Sequence, residues 1–132
     1  MSTSCSKLRW LEEQRGNLFF LNFSELSFEP KRIFVVNSVP SGESRGGHAH
    51  YECEQLLVCI GGKVNITLDT GVSKSHHVLF EGDTLYHGKM EWAEVEYFDD
   101  GQLLSLCSVE YDANDYITDY ETFLEKVAKG EN

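Results

Sequence analysis

The sequence predicts an all-β domain, a sandwich or barrel, with one amphipathic helix at its C-terminal end. Three observations carry the prediction. Short apolar or alternating runs recur along the chain, each set off by Gly, Pro, Asp or Asn turn signals. At 132 residues the chain is one domain's worth, with no Pro-, Ser- or Gly-rich linker to divide it, so a single domain over 1–132 is expected. Only after Asp112 does the apolar period change to three and four residues.

The elements follow in chain order. Residues 17–21 (NLFFL) follow Arg15-Gly16, and 32–36 (RIFVV) follow Pro30; both have strand length and composition. Residues 55–60 (QLLVCI) are β-branched and apolar and are expected to end at Gly61-Gly62. Residues 63–68 (KVNITL) alternate polar and apolar before the turn Asp69-Thr70-Gly71, and 73–80 return as the second arm of a half-buried hairpin. Glu81-Gly82-Asp83 turns the chain into 84–86, 92–98 alternates again, and Asp99-Asp100-Gly101 separates it from the apolar run 103–109. So many short strands at regular spacing indicate a sandwich or barrel. The helix is expected over about 115–129, with Tyr116, Ile117, Tyr120, Phe123, Leu124 and Val127 on one face, acids in its first turn and Lys126 and Lys129 in its last.

Composition narrows the partners. A net charge of −11 speaks against nucleic acid or an anionic membrane as a bulk partner, because phosphate backbones are held by clustered Lys and Arg. No apolar stretch reaches membrane-spanning length, and the opening MSTSCSKLRW lacks the apolar core of a secretory signal, so a cytoplasmic location is expected. Cys5, Cys53, Cys59 and Cys107 show no CxxC spacing; Cys53, Cys59 and Cys107 read as small core residues in a reducing compartment.

The chemistry concentrates in residues 46–55, GGHAHYECEQ. On a strand alternate side chains share a face, so His48 and His50 project together, and Glu54 joins them if the strand stays regular. Such a group can ligate a metal or move protons. The spacing His-x-His, three residues, Glu, six residues, Gly61 is the first motif of the cupins, small β-barrels with a site inside the barrel. Metal cupins add a histidine from a second motif, commonly after a tryptophan; here Trp92 is followed by Ala93, and the spacing of His87 does not match. The pair therefore reads as proton carriers, with no metal expected.

Arg15-Gly16-Asn17-Leu18, Lys31-Arg32-Ile33, Arg45-Gly46-Gly47-His48-Ala49-His50, Glu54-Gln55-Leu56-Leu57, Asp69-Thr70-Gly71 and Asp115-Tyr116-Ile117-Thr118-Asp119-Tyr120, in that order, make nearly the whole chain resemble the WxcM-like cupins. These are nucleotide-sugar 3,4-ketoisomerases of bacterial surface-polysaccharide biosynthesis. The resemblance implies a cupin-type barrel, or jelly roll, and a thymidine diphosphate (TDP)-linked 4-keto-6-deoxy-hexose as substrate. It implies a carbonyl moved from C4 to C3 through an enediol without cofactor or metal. It also implies a homodimer, in some relatives with exchanged N-terminal strands.

Within that reading His48 and His50 are the catalytic acid–base pair, their order open, since an imidazole titrating near pH 6.5 serves either role. Arg45, with Arg15 and Arg32, is the candidate for the pyrophosphate, whose oxygens suit a planar guanidinium. Glu54 and Gln55 are candidates for the sugar or base, and Tyr86 and Trp92, with Tyr97, for stacking on thymine. Relatives carry tyrosines where this chain has Phe34-Val35, so Tyr51, Tyr86, Tyr97 or His87 must replace that hydroxyl, or the reaction has drifted. A metal-dependent cupin enzyme and a catalytically altered binding module are the alternatives.

Overall fold

The computed structural model describes residues 5–130; residues 1–4 and 131–132 of the expected domain lie outside them. Strands β1 (Cys5–Lys7), β2 (Arg9–Glu13), β3 (Gly16–Phe20), β4 (Arg32–Val36), β5 (Ser44–His50), β6 (Gln55–Asp69), β7 (Lys74–Phe80), β8 (Asp83–His87), β9 (Trp92–Cys107) and β10 (Tyr116–Ile117) precede helix α1 (Tyr120–Ala128). The fold is the expected mostly-β one with a single short C-terminal helix.

The architecture turns on two strands longer than the sequence suggests. β6 runs through Gly61-Gly62, read above as a stop, and β9 runs through Asp99-Asp100-Gly101, read above as a turn. Both pairs of signals mark bulges: the β6–β9 register shifts between Cys59 and Gly61 and again before Lys63, while Gly62, Asp99 and Asp100 adopt φ of 63°, 54° and 60°. A Cβ at Gly62 would lie 2.5 Å from the Asp99 carbonyl oxygen, so only glycine fits that corner.

At the shared bulge both strands pass from one sheet to the other. Their first and last portions pair as β1–β8–β6–β9–β4, and their other portions as β7–β6–β9–β5–β10. All these pairings are antiparallel. The inner faces meet over a core of Leu57, Cys59, Val64, Ile66, Leu79, Leu85, Val95 and Leu103. Among the described residues β2 and β3 pair only with each other, as a hairpin beside the barrel, leaving Leu11, Leu18 and Phe20 exposed.

The helix begins five residues later than its period predicts. Asp119 takes the cap, accepting from the Thr122 amide at 2.9 Å, while Asp112 closes its own turn on the Asn114 amide and leads into a 3-10 turn at Ala113–Asp115. Between them Tyr116 and Ile117 are drawn into the sheet opposite His50 and Ala49. α1 then lays Phe123, fully buried, against Trp92, Met90, Ala49 and Ile117, a burial that contributes about 2–3 kcal/mol. No helix of the described residues is long and apolar enough to cross a membrane.

Candidate active site

A cavity of about 520 Å³ opens between the two sheets, walled by Phe34 and Val36 of β4, Arg45 and His48 of β5, Gln55 of β6, His87 of β8, Ala93 and Tyr97 of β9, and Tyr116 of β10. His48 stands opposite Ala93 in the β5–β9 register, so a small methyl group, not a second imidazole, faces it.

His48 and His50 meet edge to face with ring centroids 4.8 Å apart, His48 half-buried on the cavity wall and His50 wholly buried behind it. His50 Nδ1 lies 3.3 Å from Asp115 Oδ2, in contact though not aligned as a hydrogen bond. That carboxylate is itself held by the amides of Glu52 at 2.7 Å and Cys53 at 3.1 Å. Burial, then the neighbouring His48, His87 and Arg32, push His50 down to about 3. It is therefore neutral, and the carboxylate beside Nδ1 selects the tautomer with its hydrogen there.

Gln55 links this pair to a third imidazole: its amide lies 3.5 Å from His50 Nε2 and 3.3 Å from His87 Nδ1. His87 Nε2 donates to the Glu91 carbonyl at 2.7 Å, and burial holds the ring below its usual range. Burial also pushes Tyr97 up to about 12, with Arg45 opposing, so that phenol stays a neutral donor.

Of the other residues singled out in the sequence, Arg45 and Gln55 reach the cavity and several do not. Glu54 parts from the histidines because the chain leaves strand geometry after His50; its carboxylate accepts from Tyr86 at 2.5 Å in a separate surface cleft with Gly88 and Lys89. Tyr86 goes with it. The Trp92 ring packs against Tyr120 and Phe123 under the helix, with its indole nitrogen donating to Glu94 at 3.0 Å. Arg15 sits at the tip of the β2–β3 hairpin, its side chain 89 % exposed and paired with Glu13. Arg32 is not part of the cavity lining; its Nη1 donates at 3.2 Å to the hydroxyl of Tyr116, which is. Of the four replacements considered for the missing hydroxyl, Tyr97 and His87 face the cavity, while Tyr51 packs in the helix cluster. Tyr116 was not among them: nothing local distinguishes it, and only its register opposite His50 brings it to the wall.

The metal-cupin triad His48, His50 and Glu54 is thus not assembled. His50, Cys53 and Asp115 do bring donor atoms within 4.8 Å of one another. Asp115 is already committed to two amides and His50, and the Arg32 guanidinium 4.0 Å from Cys53 Sγ sets a cation against any divalent ion there. The residues do not fit a metal well.

Comparison with known proteins places the chain in a family. The family model described as "FdtA: WxcM-like, C-terminal" matches residues 1–128. The TDP-4-oxo-6-deoxy-alpha-D-glucose-3,4-oxoisomerase of Aneurinibacillus thermoaerophilus is 33% identical over 120 residues, 89% of this chain and 86% of that protein. A crystal structure of a 3,4-ketoisomerase from Helicobacter canadensis superposes with a TM-score of 0.89 at 34% identity, covering 97% of this chain and 98% of that one. QdtA, a sugar 3,4-ketoisomerase from Thermoanaerobacterium thermosaccharolyticum solved in complex with TDP, gives 0.89 at 27% identity over 97% and 96%.

Proposed function

The chain belongs to the FdtA, WxcM-like C-terminal family, and on that premise we propose how its cavity works as a TDP-sugar 3,4-ketoisomerase. The reaction moves the carbonyl of a TDP-linked 4-keto-6-deoxy-hexose from C4 to C3 through an enediol. The observation that carries this reading is His48 on the wall of the cavity between the sheets, backed by His50 and Asp115.

His48 removes the C3 hydrogen, acidic because it lies beside the C4 carbonyl, and later delivers a proton to C4. Because burial keeps His50 uncharged, the imidazolium that forms on His48 meets no second cation 4.8 Å away. Asp115 holds His50 and, through it, the ring in front. Arg45 binds the pyrophosphate at the cavity mouth, and the Tyr97 hydroxyl donates to the sugar. A volume of about 520 Å³ suits a sugar with part of its nucleotide. None of these steps calls for a metal. A 3-keto product is what an amination step takes up, which fits deoxyamino-sugar supply for surface polysaccharide, lipopolysaccharide O-antigen included, in the cytoplasm.

The test is direct. Purified protein given TDP-4-keto-6-deoxyglucose should yield the 3-keto isomer by NMR, at the same rate after dialysis against EDTA. Absence of product rejects the reading, and loss on chelation restored by one metal rejects metal independence.

We further propose a homodimer in which the β2–β3 hairpin lies across the partner, carrying Arg15 to the partner's substrate. Exposed Leu11, Leu18 and Phe20 on the hairpin, and exposed Ile33 and Val35 on the outer face of β4, support this. Co-expressed Arg15→Ala and His48→Asn chains should then recover about a quarter of wild-type activity, because half the dimers are mixed and each holds one intact site. Activity no greater than the sum of the separate variants would keep Arg15 within its own subunit's function.

A further inference from the structure

Resting on the ketoisomerase reading, one further group on the cavity wall has a role in the chemistry. Tyr116 lines the cavity with its ring centroid 4.4 Å from that of His50 and 5.2 Å from that of His48. Its oxygen accepts from Arg32 Nη1 at 3.2 Å. Since the guanidinium occupies an oxygen lone pair, the phenol's own hydrogen is left to point elsewhere.

Arg32 is an unusual neighbour for a phenol. Among the described residues no carboxylate pairs with it, its Nε is buried without a hydrogen-bond partner, and Nη2 reaches only Cys53 Sγ at 4.0 Å. The rings of Phe34 and Tyr111, each 5.7 Å away, fix its position. A half-buried cation without a counter-charge is costly to desolvate, and it stabilises any negative charge that arises on the oxygen it touches. That oxygen belongs to Tyr116.

We propose that Tyr116 is the catalytic acid–base group for the two sugar oxygens and that Arg32 is its positioning residue, where the sequence suggested a phosphate contact for Arg32. As His48 takes the C3 proton, the C–H electron pair becomes the C3=C4 bond, the carbonyl π pair moves to O4, and O4 takes the Tyr116 hydrogen. The phenolate left behind faces Arg32. It then takes the proton from O3, whose O–H pair becomes the C3 carbonyl, while the C3=C4 pair takes the proton from His48 at C4. Both residues end as they began, and no outside oxidant or reductant is needed. O3 and O4 are on adjacent carbons, so one phenol serves both.

Tyr116→Phe should lower kcat about 10²–10³-fold with KM within about threefold. Arg32→Met should cost a similar factor alone and little more in the Tyr116→Phe background, and Arg32→Lys should restore part of the rate. A Tyr116→Phe enzyme with kcat within about threefold of wild type overturns the proposal, as does an Arg32→Met loss of equal size in both backgrounds. Should Tyr116→Phe fail to fold, 3-fluorotyrosine at 116 keeps the ring and makes the phenol more acidic. It should shift the alkaline limb of the kcat profile to lower pH, and an unmoved limb overturns the assignment. Wild-type protein that does not isomerise the sugar overturns the ketoisomerase reading and this role with it; active wild type beside active Tyr116→Phe overturns the role alone.

Discussion

Asparagine at position 48 is expected to lower kcat by about 10²–10⁴-fold while KM stays within about threefold. Asn keeps polarity and most of the volume but cannot take a proton, and the loss should fall on the chemical step because the proposed pyrophosphate contact is Arg45, not His48. His48 is chosen over His50 on burial: His48 is half-buried on the cavity wall, and His50 is 0% exposed behind it. In D₂O the wild-type enzyme should wash deuterium into the sugar ring at carbons 3 and 4, and His48→Asn should not. Deuterium entering at an undiminished rate would move the base elsewhere, with His50 the next to test.

Alanine at Gly62 is expected to be the most damaging single methyl group. Its Cβ would sit 2.5 Å from the Asp99 carbonyl oxygen and 2.7 Å from Gly101 N and Cα, all backbone atoms that no rotamer change can move. The left-handed φ of 63° adds about 1–2 kcal/mol for any residue with a Cβ, and overpacking adds about 1–3. A loss of about 2–5 kcal/mol is a large share of the stability of a domain this size. The urea midpoint reads it. Gly47→Ala, whose Cβ would make an ordinary contact of 3.6 Å with Trp92, is the control and should change stability by no more than about 0.5 kcal/mol. A Gly62→Ala midpoint as close to wild type as that control would mean the two strands cross the corner differently.

What the sequence made legible was local. Alternation on β5 put His48 and His50 side by side, and Gln55 lies close to both His50 and His87. Glu54 misled because regular alternation was carried past His50. There the Tyr51 amide bonds the Asp115 carbonyl at 3.1 Å and the Asp115 side chain takes the next two amides, so a residue over sixty positions away bends the strand. Gly61-Gly62 and Asp99-Asp100-Gly101 misled differently, since a bulge and a turn need the same left-handed residues and only pairing tells them apart. The helix start was misplaced because Tyr116 and Ile117 fit both a helical stripe and a strand, and the sheet edge of β5 won. Tyr116 could be found only once that register was known.

The joining of β10 to β5 has a consequence for how the protein is made. His50, near the middle of the chain, receives Asp115 and its strand partner Tyr116 only from the last eighteen residues. Pairings of such long sequence separation close late, because their loop entropy must be met before their contacts form. A nascent chain can therefore build both sheets around an unfinished reaction centre, and competence arrives with the C-terminal segment in one step. A chain cut before Asp115 should keep its long strand pairings yet fail to isomerise the sugar, because His50 then lacks both partners.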